Sequence, residues 1–151
     1  MTVITEELNN HVGAELPPFE FEISRGDLKK YAVATGQRLE RYLNGDEAPL
    51  LYLFAAMMPV IPLDRLLPDG RQPDSGLIPP LPLNRIMAGG SEYQVHRKVY
   101  AGDVLVCRQK FVEVFEKSGA EGPLLFLVFE NRFETRDGEP VVTERLTRIA
   151  R

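Results

Sequence analysis

The stretch "NGDEAPLLYLFAAMMP", Asn44–Pro59, decides how the rest of the chain is read. Acidic Asp46 and Glu47 open it, Pro49 falls in the first turn and Pro59 closes it. That is the pattern of a helix with favourable charge at its start and a proline stop at its end. Between the prolines every residue is apolar apart from the hydroxyl of Tyr52. A helix that is apolar all round must be covered all round. In a chain of 151 residues a curved sheet wrapped around it does this with little material.

The flanking sequence supplies that sheet. "FEFEI", Phe19–Ile23, alternates apolar and acidic residues with the period of a half-buried strand. Ser24 then precedes "RGDLKKYAVATG" with Asp27 three residues on, a variant of the capping box. Leu28, Tyr31, Ala32 and Thr35 share one helical face and Gly36 is a stop, so an amphipathic helix follows the strand. Beyond Pro59 the chain is rich in proline and glycine from Ile61 to Leu83, where Leu63, Leu66, Leu67, Leu77 and Ile78 speak for order. This stretch reads as a binding lid or as an apolar arm packed on the domain or on another subunit. Four strands follow, at 85–97, 104–116, 123–135 and 141–149, separated by "YAGD", "KSGAEGP" and "RDGEP". "LLFLVF" is apolar on both faces and should be central. The expected fold is α+β: one domain over residues 1–151, with an antiparallel sheet curled around one helix.

Composition excludes several function classes. The net charge is −4 and the basic residues are scattered among carboxylates, which argues against nucleic acid. No signal-like start is seen and no apolar run is long enough to span a bilayer, so a cytoplasmic protein without membrane partners is expected. The single cysteine, Cys107, rules out an internal disulfide and a cysteine-based zinc site. No phosphate loop, serine elbow, metal spacing or redox site is visible, and no cofactor is expected.

Glu113, Glu134 and Glu144 alternate along strands and are expected to face solvent. Asp46 and Glu47 stand apart, because a carboxylate at the start of a buried helix serves either as a cap or as a general base. His96, in "YQVHRKV", is a candidate base by chemistry. Its place at a strand end beside Arg97 and Lys98 fits better a histidine bonding to a neighbouring strand. His11, in the polar start, is weaker still.

"VGAELPPFEFEISRGDLKKYAVATG", "LIPPLPLNRIMAGGSEYQVHRKVYAGD", "KSGAEGPLLFLVFENRF" and "DGEPVVTER" resemble, in order and over nearly the whole chain, the N-terminal domain of MaoC-like dehydratases. That domain is the first half of two-part mesaconyl-CoA hydratases and 3-hydroxyacyl-thioester dehydratases. The resemblance implies a hot-dog fold with a central helix at Ala48–Met58. It also implies reversible hydration of a 2-enoyl thioester carried on coenzyme A or acyl carrier protein, in fatty acid or polyketide metabolism. In that family an Asp and a His separated by four residues activate the water, and no Asp here has a histidine at that spacing. The resemblance therefore implies a subunit without its own dyad, paired in a hetero-oligomer with a dyad-bearing hot-dog subunit. Tyr52, Met57 and Met58 would line the acyl tunnel. Gly89 and Gly90 would either let the thioester arm approach the backbone or form a β-bulge.

Two other readings compete. One is an autonomous homodimeric hot-dog lyase or thioesterase with Glu47 or Asp46 as base. The other is a non-catalytic acyl-thioester binding protein.

Overall fold

The computed structural model describes residues 2–73 and 75–151; Met1 and Asp74, within the expected domain and the long arm, lie outside them. Helix α1 (Glu6–Asn10) precedes strand β1 (Phe19–Glu22) and helix α2 (Arg25–Ala34). Short helices α3 (Glu40–Leu43) and α4 (Tyr52–Ala56) follow. The chain then runs irregularly, apart from a 3₁₀ turn at Leu63–Arg65, into β2 (Ile86–Val95), β3 (Val104–Gly119), β4 (Gly122–Thr135) and β5 (Pro140–Ala150). The strands make one antiparallel sheet in the order β1-β3-β4-β5-β2. The fold is α+β, and β4, which carries "LLFLVF", is the central strand as expected.

Helix α2 follows its sequence signals. The Ser24 side chain accepts from the Asp27 N–H at 3.3 Å, Leu28 and Ala32 are buried, and Gly36 takes φ +67 just past the end. Replacing Ser24 by Ala removes this cap. Chemical denaturation of Ser24→Ala should show a loss of about 1 kcal/mol at unchanged m-value.

The apolar stretch departs from expectation. It forms five helical residues, not the eleven of Ala48–Met58. Pro49 disfavours helical geometry in the residue before it, and Ala48 instead donates its N–H to the Val99 carbonyl at 2.8 Å, in an extended link to the loop after β2. Residues 50–54 then close with bonds three residues apart, such as Tyr52 N–H to the Pro49 carbonyl, which delays the helix to Tyr52. Asp46 and Glu47 consequently lie five or more residues before α4 and do not cap it; the N-cap is Leu51, with no side-chain bond.

Only one side of α4 is covered. Tyr52 and Leu53 are 6% and 2% exposed, whereas Leu50, Leu51, Phe54 and Met58 range from 38% to 55%. The core face of the sheet carries two apolar clusters. One joins Leu105, Cys107, Phe133, Val141 and Val142 to Leu28, Tyr52 and Leu53 of the helices. The other joins Phe111, Leu125, Leu127 and Phe129 to Leu8 of α1 and Leu77 of the arm, with Ile78, Leu81 and Leu83 packed against it. The second half of the arm thus packs on its own sheet, while Leu63 in the first half is 87% exposed.

Candidate functional site

Strand β2 forms one margin of the sheet, bonded to β5 on one side only. Along its ten residues only Ile86 and Tyr93 are even partly covered. A long strand with unpaired backbone groups on one side is a template for another strand. A bulge interrupts its pairing with β5 between Ala88 and Gly90. A Cβ at Gly89 would stand 2.9 Å from Thr147 Cγ2 and 3.1 Å from the Thr147 carbonyl, and only glycine lets β2 lie this close to β5. Gly90 takes φ +132, a left-handed value that L side chains rarely adopt.

The turn after β2 is tied to the helical layer by charge. Glu47 is 9% exposed, with Lys98 Nζ at 3.1 Å and Arg41 Nε at 3.5 Å from Oε2. Its backbone bridges Tyr100. Asp103 accepts from Arg97 at 3.0 Å and from the Tyr100 N–H at 2.8 Å. Asp46 pairs with Arg25 in the open. Neither carboxylate meets a histidine. His96 is exposed, donates its backbone N–H to the Val141 carbonyl at 2.9 Å and places Nε2 3.3 Å from Thr143 Oγ1. His11 turns Nδ1 to the Glu7 carbonyl at 2.8 Å. Tyr52 packs edge-on against Tyr31, with centroids 5.4 Å apart; Met57 packs on the first cluster, and Met58 is 38% exposed.

The sequence reading missed the most unusual group. Glu144, expected at the surface, is 2% exposed. Glu134 is also largely covered, at 13% of its side chain, and of the three only Glu113, at 48%, faces solvent substantially. Register explains Glu144. Residues directly opposite one another share a face, and the pairings Gln109↔Asn131, Asn131↔Glu144 and Tyr93↔Glu144 set one polar residue from each of β3, β4, β5 and β2 in a row. Gln109 donates to Asn131 at 3.1 Å, and Asn131 and Tyr93 each donate to Glu144 at 2.8 Å.

The row crosses the core face between the two apolar clusters. Glu144 has no cation beside it among the described residues. Burial, then the bond and charge of Glu144, push the Tyr93 phenol up to about 12. Burial, with Glu144 adding, does the same to the Cys107 thiol. Both groups are therefore neutral at physiological pH, and Cys107 is an inert core residue rather than a nucleophile.

Among the described residues no cluster of His, Cys, Asp or Glu could hold a metal ion, and no helix is long and apolar enough to cross a membrane. Residues 10–144 match the family model "FAS1-like, dehydratase domain region". No curated protein sequence matches. Among solved structures, a chain of the HadBC (3R-hydroxyacyl-ACP dehydratase) complex of Mycobacterium tuberculosis superposes with TM-score 0.64 at 21% identity, covering 92% of this chain and 96% of that one. A chain of the ChsH1-ChsH2 complex of the same organism gives 0.67 at 16%, covering 90% and 88%. A MaoC-like dehydratase gives 0.72 at 18%, covering 95% of this chain and 43% of that one. The shared fold is the MaoC-like hot-dog.

Proposed function

The chain belongs to the FAS1-like dehydratase domain region family, and from that premise we propose that it is the non-dyad subunit of an enoyl-thioester hydratase or 3-hydroxyacyl-thioester dehydratase. The observation that carries this reading is the separation of acid from imidazole: His11 and His96 bond to a backbone carbonyl and a threonine, while Glu47 is engaged by Lys98 and Arg41. A hydration site needs a proton acceptor within reach of water, and the partner would supply it. Strand β2, open along its margin, is where a second hot-dog sheet would pair. Two of the superposed structures, HadBC and ChsH1-ChsH2, are complexes of such chains, which supports a hetero-oligomer.

In the assembled enzyme the acyl thioester would enter beside β2, where Gly89 and Gly90 keep the strand bare of side chains. Exposed Met58, with the uncovered side of α4, would meet the acyl group or the partner. Tyr52 and Met57 would hold α4 against the sheet from below. The chain's part is to bind, shape and exclude water, and no group of its own moves the proton.

Substitution of the acid and imidazole candidates tests this. In the assembled enzyme His96→Ala and Glu47→Gln should leave the hydration rate within about threefold of the parent, since surface and tether changes act through stability rather than chemistry. The readout is the loss of the conjugated enoyl-thioester absorbance with crotonyl-CoA. A fall of a hundredfold or more in either folded variant would place the base in this chain and favour the homodimeric reading.

A further inference from the structure

The outer face of the sheet, turned away from the helices, is divided. Over one half it is polar and charged: Lys110, Glu130, Arg145 and Glu92 stand opposite one another across β3, β4, β5 and β2, as do Arg108, Arg132, Thr143 and Gln94. Over the other half the register aligns Phe115, Phe126, Ile149 and Met87 in a row across the same four strands. Residues directly opposite one another share a face, and among the described residues none of these four joins either core cluster. Phe115 and Phe126 stack with centroids 4.8 Å apart and an interplanar angle of 7°, and Met87 ends the row in the open. A sheet face left to water carries polar residues. Four apolar side chains in register across it mark a contact surface.

The flanks of the row differ in sign. On one side lie Lys117 and, opposite it, Leu124, followed by Arg151 and Arg85, which exchange backbone hydrogen bonds. Lys117 Nζ stands 5.0 Å from the Phe126 centroid and 5.4 Å from that of Phe115. No carboxylate pairs with it among the described residues. The other side carries Glu113, Val128, Thr147 and Gly90, and Glu113, though paired with Arg145, keeps half its surface open. Along β3 the basic and acidic flanks are four residues apart, which is about 14 Å.

We propose that this row is the centre of a two-fold contact between two copies of the chain, packed outer face to outer face. Charge selects the two-fold. An axis along the strands would set Lys117 against Arg85 of the second copy, like charge on like. An axis along the row sets each row residue over its own counterpart. It also sets Lys117 over Glu113 of the second copy, twice, as an isologous contact requires. Sheets packed face to face lie about 10 Å apart, which a lysine and a glutamate span together. Four strands about 4.8 Å apart and the rows from Lys117 to Glu113 outline on the order of 400 Å² in plane. That is below the roughly 800 Å² per partner of a standard interface, so the contact is a reversible one. It uses no backbone of β2, leaves that margin free, and does not rest on the acyl-thioester reading.

Sedimentation equilibrium of the full chain tests this, with charge reversals on β3, three strands away from the β2 margin. The parent should show a monomer–dimer equilibrium. Lys117→Glu and Glu113→Lys should each weaken it at least about tenfold, because like charges then face each other. The double variant, with the two charges exchanged, should return to within about threefold of the parent. Within one copy these side chains are too far apart to pair, so the rescue reports a contact between copies. It also shows that the single variants failed through charge and not through misfolding. Arg132→Gln, on the charged half of the same face, should leave the dimer unchanged. A chain that stays monomeric up to roughly 1 mM, or a loss that the double variant does not restore, overturns the proposal. A dimer that neither reversal weakens belongs to the β2 margin and overturns it too. A monomer that pellets with phosphatidylserine vesicles assigns the row to a membrane surface instead.

Discussion

Purified alone, the chain is expected to leave crotonyl-CoA and mesaconyl-CoA unhydrated, and addition of a dyad-bearing hot-dog subunit is expected to raise the rate by about a thousandfold or more. The magnitude follows from what a positioned acid–base pair contributes, on the order of a hundredfold to ten-thousandfold for each proton transfer. Binding alone does not replace that contribution, because it stabilises substrate and transition state alike. Both imidazoles have structural partners. Among the described residues, the carboxylate buried on the helical side, Glu47, binds two cations, and the most deeply buried one on the sheet, Glu144, accepts from two neutral donors and is closed to water at 2% exposure. None is arranged to receive a proton from water beside a bound enoyl group. The rate with and without partner, followed by enoyl-thioester absorbance, measures the effect. Robust hydration by the chain alone would mean that one polypeptide holds a complete site, and the partner-dependent reading would fail.

The strands were legible because their signals are local. Alternation in "FEFEI", the apolar run "LLFLVF" and the Asp137-Gly138 turn each act within a few residues, and β1, β4 and the β4–β5 hairpin form where they say. The helix in "NGDEAPLLYLFAAMMP" was half legible. Its composition correctly marks a buried partner for the sheet, since Tyr52 and Leu53 enter the first cluster. Its length was misjudged because Pro49 acts backwards on Ala48, which pairs with Val99 instead of starting a turn. The uncovered side of α4 follows from the same shortening.

The polar row was illegible for a different reason. Gln109, Asn131, Glu144 and Tyr93 lie on four strands, and Tyr93 and Glu144 are 51 residues apart. Each looks like an ordinary alternating polar residue in its own strand. Only the pairing register, including an irregularity between Phe133 and Glu134, decides which face they share, and a shift of one residue would send Glu144 outward.

Removal of the Glu144 side chain should therefore have an effect far beyond that of its neighbours on the outer face. In Glu144→Ala the Tyr93 hydroxyl and the Asn131 amide, each 2.8 Å from a carboxylate oxygen, lose their acceptor inside the core. Buried donors left unpaired cost roughly 1–3 kcal/mol each, and partial collapse or water entry offsets some of that, so a net loss of about 3 kcal/mol is expected. Glu144→Gln should cost only about 1 kcal/mol, because its oxygen can accept from Asn131 while its amide donates to the Tyr93 oxygen, whose own proton rotates away. Glu113→Gln, which weakens an exposed pair with Arg145, should change stability by less than about 0.5 kcal/mol. Denaturant midpoints of the three variants rank these costs. The phenol provides a second readout: with the carboxylate gone, Tyr93 should titrate below the value of about 12 set by burial together with Glu144, while burial keeps it above the ordinary tyrosine range. Since a raised phenol pKa means that the folded state holds its proton longer than the unfolded one, this contribution is complete below about pH 10 and declines as pH rises toward 12. Equal midpoints for Glu144→Ala and Glu113→Gln would show that the carboxylate is solvated in solution and that the row is not part of the core.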